Sequence, residues 1–191
     1  MNQSKKKKLK ELYEIYYSCG IENPLYIESA KQFVPGDGNP DAGILFIGEA
    51  PGEVEENVGL PFQGRSGKLL RSTLKKHEIT EKNSFITNVV KFRPPNNRKP
   101  TNQEIKNHFD LILFHEIKII APKIIVPVVA VATEAVLGKQ IKITEIRGKN
   151  LIHNNILIIP IFHPAYILRN MTAFSIFETD IEFIKKKLDE I

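Results

Sequence analysis

A chain of 191 residues, 42% of them hydrophobic, is long enough to bury a core of its own and suits one domain better than two. Its single cysteine, Cys19, excludes both a disulfide framework and a four-thiolate metal site within one chain, and points to a reducing compartment, the cytoplasm. A formal charge of +5 suits a polyanionic partner, because fixed lysines and arginines gain by releasing phosphate counterions, although a lysine-rich composition alone also fits solvated surfaces.

In chain order, Lys5, Lys6, Lys7, Lys8 and Lys10 open a basic N-terminal helix, expected from Lys5 to Cys19 within residues 1–20. Glu11 and Glu14 interrupt it, so no apolar run of signal-peptide length follows, and no other segment is apolar enough to span a bilayer. Four runs rich in β-branched and aromatic residues read as strands buried on both faces: Gly43 to Gly48, Phe85 to Val90, Lys123 to Val128 and Ile156 to Phe162. Helix-like stretches alternate with them, at Gly67 to His77, Asn102 to Ile120, Ala130 to Leu137 and Thr172 to Leu188. Thr101 begins TNQE, a capping-box pattern in which Gln103 or Glu104 returns a hydrogen bond. Residues 1–191 are therefore expected to form one α/β domain, three layers α/β/α around a central four-stranded, mainly parallel sheet. Ligands of such sheets sit beyond the carboxyl ends of the strands, which directs attention to the segment after each apolar run.

After the first run comes Gly48-Glu49-Ala50-Pro51-Gly52-Glu53, whose glycines let backbone amides approach a ligand closely. It continues through Glu55 and Phe62 to Arg65 and Ser66, with neither a Walker A ending nor a GxGxxG. Phe62 is a candidate platform for a stacked base. The second run ends at Asn88, whose rigid amide can pair bidentately with the edge of a pyrimidine. Lys91, Arg93, Arg98 and Lys99 follow on a proline-rich frame suited to phosphate contacts. The fourth run ends in His163-Pro164, followed by Ile167, Leu168 and Arg169, the composition of an apolar wedge beside a phosphate holder.

The segments GEAPGEVEENVGLPFQGRSGKLL from Gly48, ITNVVKFRPPNNRKPT from Ile86 and HPAYILRN from His163 occur in an order that resembles the uracil-DNA glycosylase superfamily, most closely its family-4 branch. The resemblance covers residues from about Tyr17 onward. It implies a monomeric enzyme that flips uracil from single- or double-stranded DNA and hydrolyses its bond to the sugar. It implies further that Glu49 and Ala50 line the pocket and help hold uracil and a water. Phe62 would stack on the base, Asn88 would read its edge and His163 would donate to uracil O2 as charge develops. Glu55, or else Glu53, would crowd the C5 position. Arg65, Ser66, Lys91, Arg93, Arg98, Lys99, Pro164, Ile167, Leu168 and Arg169 would contact DNA.

Two departures stand out. Family-4 enzymes usually hold an iron–sulfur cluster on four cysteines, whereas Phe92 and His108 align with the third and fourth of those places. One thiolate cannot replace four, so no cofactor and no metal are expected, with apolar packing around Phe92 in the cluster's structural place. Ala50 stands where other branches carry a water-activating aspartate, which leaves Glu49, backbone carbonyls or DNA phosphates to hold the water. A DNA-binding relative without activity and a glycosylase for another base, such as hypoxanthine, are the alternatives.

Overall fold

The structure is a computed structural model that describes residues 4–18 and 32–191. Cys19 and the end of the expected N-terminal helix lie outside the described residues. Strands β1 (Asp37–Gly38), β2 (Ile44–Gly48), β3 (Ser84–Asn88), β4 (Ile124–Pro127), β5 (Leu151–His153) and β6 (Ile156–Ile158) form one sheet in the order β1-β3-β2-β4-β6-β5. The four expected strands are present and run parallel, with Gly48 level with Asn88 and Ile47 level with Pro127. The sheet is nevertheless six-stranded rather than four-stranded. β1 and β5 add as antiparallel edges, and at two and three residues they are too short to carry a periodic pattern.

Helix α1 (Lys5–Ser18), the segments α4 (Asn102–His108) and α5 (Phe114–Ile120), and α6 (Ala130–Leu137) cover one face of the sheet. Their side chains Leu9, Tyr16, Ile120 and Ala132 pack against Leu45, Ile47 and Ile125. On the other face, α3 (Arg65–Lys76) and α9 (Phe174–Asp189) bring Leu70, Leu74, Phe177 and Ile181 onto Ile44, Phe46 and Val126. Alternate residues of β2 thus serve opposite cores, which is why the run is apolar throughout. The helix expected from Asn102 to Ile120 is interrupted by a π-helical turn at Phe109–Leu113. Its start is the expected capping box: the Glu104 amide donates to Thr101 Oγ1 at 3.2 Å, and the Thr101 amide donates to Glu104 Oε2 at 2.7 Å.

Three short helices were not anticipated: α2 (Glu53–Val58), α7 (Ile143–Ile146) and α8 (Pro164–Arg169). The last starts on proline, whose missing amide hydrogen costs nothing there, and it packs against α3. No helix among the described residues is long and apolar enough to cross a membrane.

Candidate active site

At the carboxyl ends of the parallel strands lies a cavity of about 830 Å³, with Glu49, Ala50, Phe62, Asn88 and His163 all in its wall. A larger cavity of about 1160 Å³ lies beside α1 and residues 35–40, but none of the expected site residues lines it. The strand register explains the convergence, since Gly48 and Asn88 end neighbouring strands at the same level. Gly48 cannot carry a side chain: a Cβ there would stand 2.3 Å from Asn88 Oδ1 and 2.6 Å from Phe62 Cζ. Glycine at the strand end therefore lets the aromatic ring and the amide close on one another.

Phe62 sits at φ 57°, a left-handed conformation that costs a side-chain-bearing residue on the order of 1 kcal/mol and persists only where surroundings enforce it. Those surroundings are two charged groups. Arg71 donates to the carbonyls of Pro61 at 3.0 Å and Phe62 at 3.2 Å while paired with Asp37 at 2.8 Å. Glu55 accepts from the amides of Gly52 at 3.1 Å, Gln63 at 2.8 Å and Gly64 at 2.7 Å. Both Glu55 oxygens thus accept from backbone amides, so the carboxylate holds the Phe62 loop while it stands in the wall of the cavity. Glu53, more exposed, lines the same cavity.

Asn88 is only 3% exposed, yet its amide has no hydrogen-bond partner among the described residues. Its amide edge opens on the cavity, with donor and acceptor both available to a ligand. His163 caps α8: its Nδ1 accepts from the Ala165 amide at 3.1 Å. Nδ1 must therefore be unprotonated, which leaves the hydrogen of the neutral ring on Nε2. Burial and the charge of Arg169 lower the His163 pKa to about 4, so the ring is neutral at pH 7. Burial raises the pKa of Glu49, an effect that the nearby Lys99 opposes.

The expected DNA-contacting residues divide. Arg65, Lys99 and Arg169 are exposed and carry no ion pair among the described residues, and Ser66 lies in the cavity wall. Lys91 is a correction: it is 0% exposed and paired with Glu116 at 2.5 Å, so its ammonium cannot reach a phosphate. Ile167 is another, because it packs into the core at 0% exposure, and Pro164 is buried beside it. Leu168, at 36%, and Tyr166, at 39%, are the exposed apolar surface of that helix. Arg93 is 14% exposed and bonds Glu56 at 3.2 Å, and Arg98 grips both oxygens of Glu104. Their charge therefore braces the proline loop. Sequence reasoning missed all of these acidic partners.

Phe92 and His108, at the places where the resemblance leads one to expect the third and fourth cluster cysteines, are both buried, with ring centroids 6.3 Å apart. Tyr16 joins them, its hydroxyl 2.7 Å from His108 Nδ1, and Phe33 packs 5.7 Å from Phe92. This donor set does not fit a four-thiolate iron–sulfur cluster, and no group of three or more candidate metal ligands occurs among the described residues.

The chain is similar to known proteins over most of its length. Type-4 uracil-DNA glycosylase of Thermotoga maritima is 42% identical over 86% of this chain and 88% of its own length. The Type-4 uracil-DNA glycosylase of Sulfurisphaera tokodaii is 42% identical over 80% of this chain and 73% of its own. That of Saccharolobus solfataricus is 39% identical, over 83% and 77%. The family model of the Uracil DNA glycosylase superfamily matches residues 35–187, and the chain belongs to that superfamily.

Proposed function

We propose that the chain is a uracil-DNA glycosylase that holds an extruded uracil in the strand-end cavity and hydrolyses its bond to deoxyribose, leaving an abasic site. The observation that carries this reading is the pairing, in one cavity, of the unpartnered Asn88 amide with a His163 ring whose Nε2 bears the hydrogen. With its NH2 toward O4 and its oxygen toward N3–H, Asn88 matches uracil, whereas cytosine, with a donor at C4 and no hydrogen on N3, requires the amide turned over.

As the N1–C1′ bond breaks, its electron pair moves onto uracil and positive charge is left on the sugar. The neutral His163 Nε2–H donates to O2, where that negative charge collects. A donor of this kind is typically worth about 10²–10³ in rate. Phe62 stacks on the base, and Glu49 holds the water that adds to C1′ and takes up its proton. No covalent nucleophile is required. Leu168 and Tyr166 fill the gap left in the base stack, with Arg65, Lys99 and Arg169 on phosphates. The reading includes a monomer, a cytoplasmic location and catalysis without an iron–sulfur cluster, since one cysteine cannot supply its ligands. Iron and sulfide analysis of pure protein checks the last point, where stoichiometric cluster would refute it.

Single-turnover excision from a uracil-containing oligonucleotide tests the site. His163→Ala is expected to lose about 10²–10³ in rate while still binding DNA. Near-wild-type turnover in that variant would remove the histidine from the reaction.

A further inference from the structure

Directly beneath Asn88 lies an ion pair cut off from water. The Lys91 side chain turns back under the end of β3 and is fully buried, as is Glu116 on α5. Three acceptors meet its three ammonium hydrogens: Glu116 Oε2 at 2.5 Å, the Asn88 carbonyl at 2.8 Å and the Thr87 hydroxyl. Glu116 Oε1 in turn accepts from the Tyr13 hydroxyl of α1 at 2.6 Å.

Two charges so placed are costly to desolvate, and apolar side chains of similar volume often serve stability as well or better. What the pair does here is directional. Among the described residues, the only backbone group that Lys91 Nζ grips is the carbonyl of Asn88. On the other side of that peptide the Val89 amide donates to the Gly48 carbonyl at 2.9 Å, and the Val90 amide to Glu49 at 3.1 Å. The main chain at Asn88 is therefore held from below by charge and from the side by the neighbouring strand end. Its side-chain amide, by contrast, has no hydrogen-bond partner among the described residues, so its direction is set by the backbone that carries it and by packing at Gly48 and Phe62.

We propose that the Lys91–Glu116 pair is a positioning device for Asn88. It fixes the strand-end carbonyl so that the amide meets the pyrimidine edge at the correct angle, and Tyr13 ties this device to α1. The proposal rests on the base-reading role of Asn88, and the test separates the two. Single-turnover rates and DNA affinities are measured for wild type, Lys91→Met/Glu116→Gln, Asn88→Ala and the combined variant. The paired change is expected to lower the excision rate about tenfold or more, with DNA affinity within about twofold. In the Asn88→Ala background the same change is expected to cost less than about twofold, because nothing is left to position. Rates that multiply independently, or a wild-type rate in the paired variant, would overturn the proposal.

Should the paired variant fail to fold, Tyr13→Phe removes the hydrogen bond to Glu116, together with the one that the hydroxyl accepts from the Gly36 amide, and keeps both charges. Its expected rate loss, about two- to fivefold, also disappears in the Asn88→Ala background, and a loss that persists there would count against the pair. Full activity of Asn88→Ala alone would instead sink the base-reading role, and the positioning role with it.

Discussion

His108 makes stability depend on pH in a way that can be worked from its surroundings. It is fully buried, and its Nδ1 accepts from the Lys91 amide at 3.3 Å and sits 2.7 Å from the Tyr16 hydroxyl. Burial first, and then the charge of Lys91, lowers its pKa from 6.5 to about 3. A base whose pKa is depressed by folding binds fewer protons in the native state, so its contribution is intact above about pH 6.5 and is lost as pH falls toward 3. The slope is about 1.4 kcal/mol per pH unit between those limits, or about 2 kcal/mol lost at pH 5.

His163 acts in the same direction and Asp180, whose pKa burial raises to about 6, acts in the opposite one, so a difference between variants is the clean readout. In His108→Asn the amide oxygen can take the place of Nδ1 and still accept from both partners. Urea unfolding at pH 7 and pH 5 should show wild type losing about 2 kcal/mol more than the variant over that interval. Parallel losses in the two proteins would refute the reasoning and mean that His108 titrates normally in the fold.

Glu49 should control the acid side of the excision profile. Its carboxylate, raised by burial, is protonated as pH falls, whereas His163 stays neutral until about pH 4. Glu49→Gln is therefore expected to flatten that limb in single-turnover assays, and a limb that survives would exclude Glu49 as its source. Lys99→Ala should weaken DNA binding and reduce the salt slope by about one, whereas Arg93→Ala should lower stability by about 1–3 kcal/mol by removing a charged hydrogen-bond donor from the buried Glu56. Binding titrations across salt and urea melts distinguish the two, and the reverse assignment would contradict the division drawn between free and braced cations. Ile167→Ala should destabilise by about 2–5 kcal/mol. Leu168→Ala should keep stability but lower excision from duplex more than from single-stranded DNA, and equal losses on both substrates would remove it as the wedge.

The central strands were legible because their runs are rich in β-branched and aromatic residues, and the helix at Asn102 because its cap is written in TNQE. The three segments that follow strands also converge as expected, since a parallel sheet brings its carboxyl ends together. What sequence did not reveal is which charges face inward. Lys91 and Arg93 read as one basic stretch, yet the fold turns the first under β3 and the second onto Glu56. A signal for the Lys91 pair existed in Glu116, a lone acid within the apolar run of α5. Ile167 was misjudged for want of a helical period: once His163-Pro164 is read as a helix start, Pro164 and Ile167, three residues apart, share the face turned inward. The partners of Glu55 are backbone amides, which no residue pattern encodes.

The most direct measurement is free uracil released from a uracil-containing oligonucleotide by pure protein whose iron content has been determined. The expected result is one uracil for every abasic site, produced by iron-free enzyme and abolished together with the abasic sites in Asn88→Ala/His163→Ala. Protein that binds the oligonucleotide yet liberates no base over the accessible range of salt and pH would contradict the reading of the strand-end cavity as an active site.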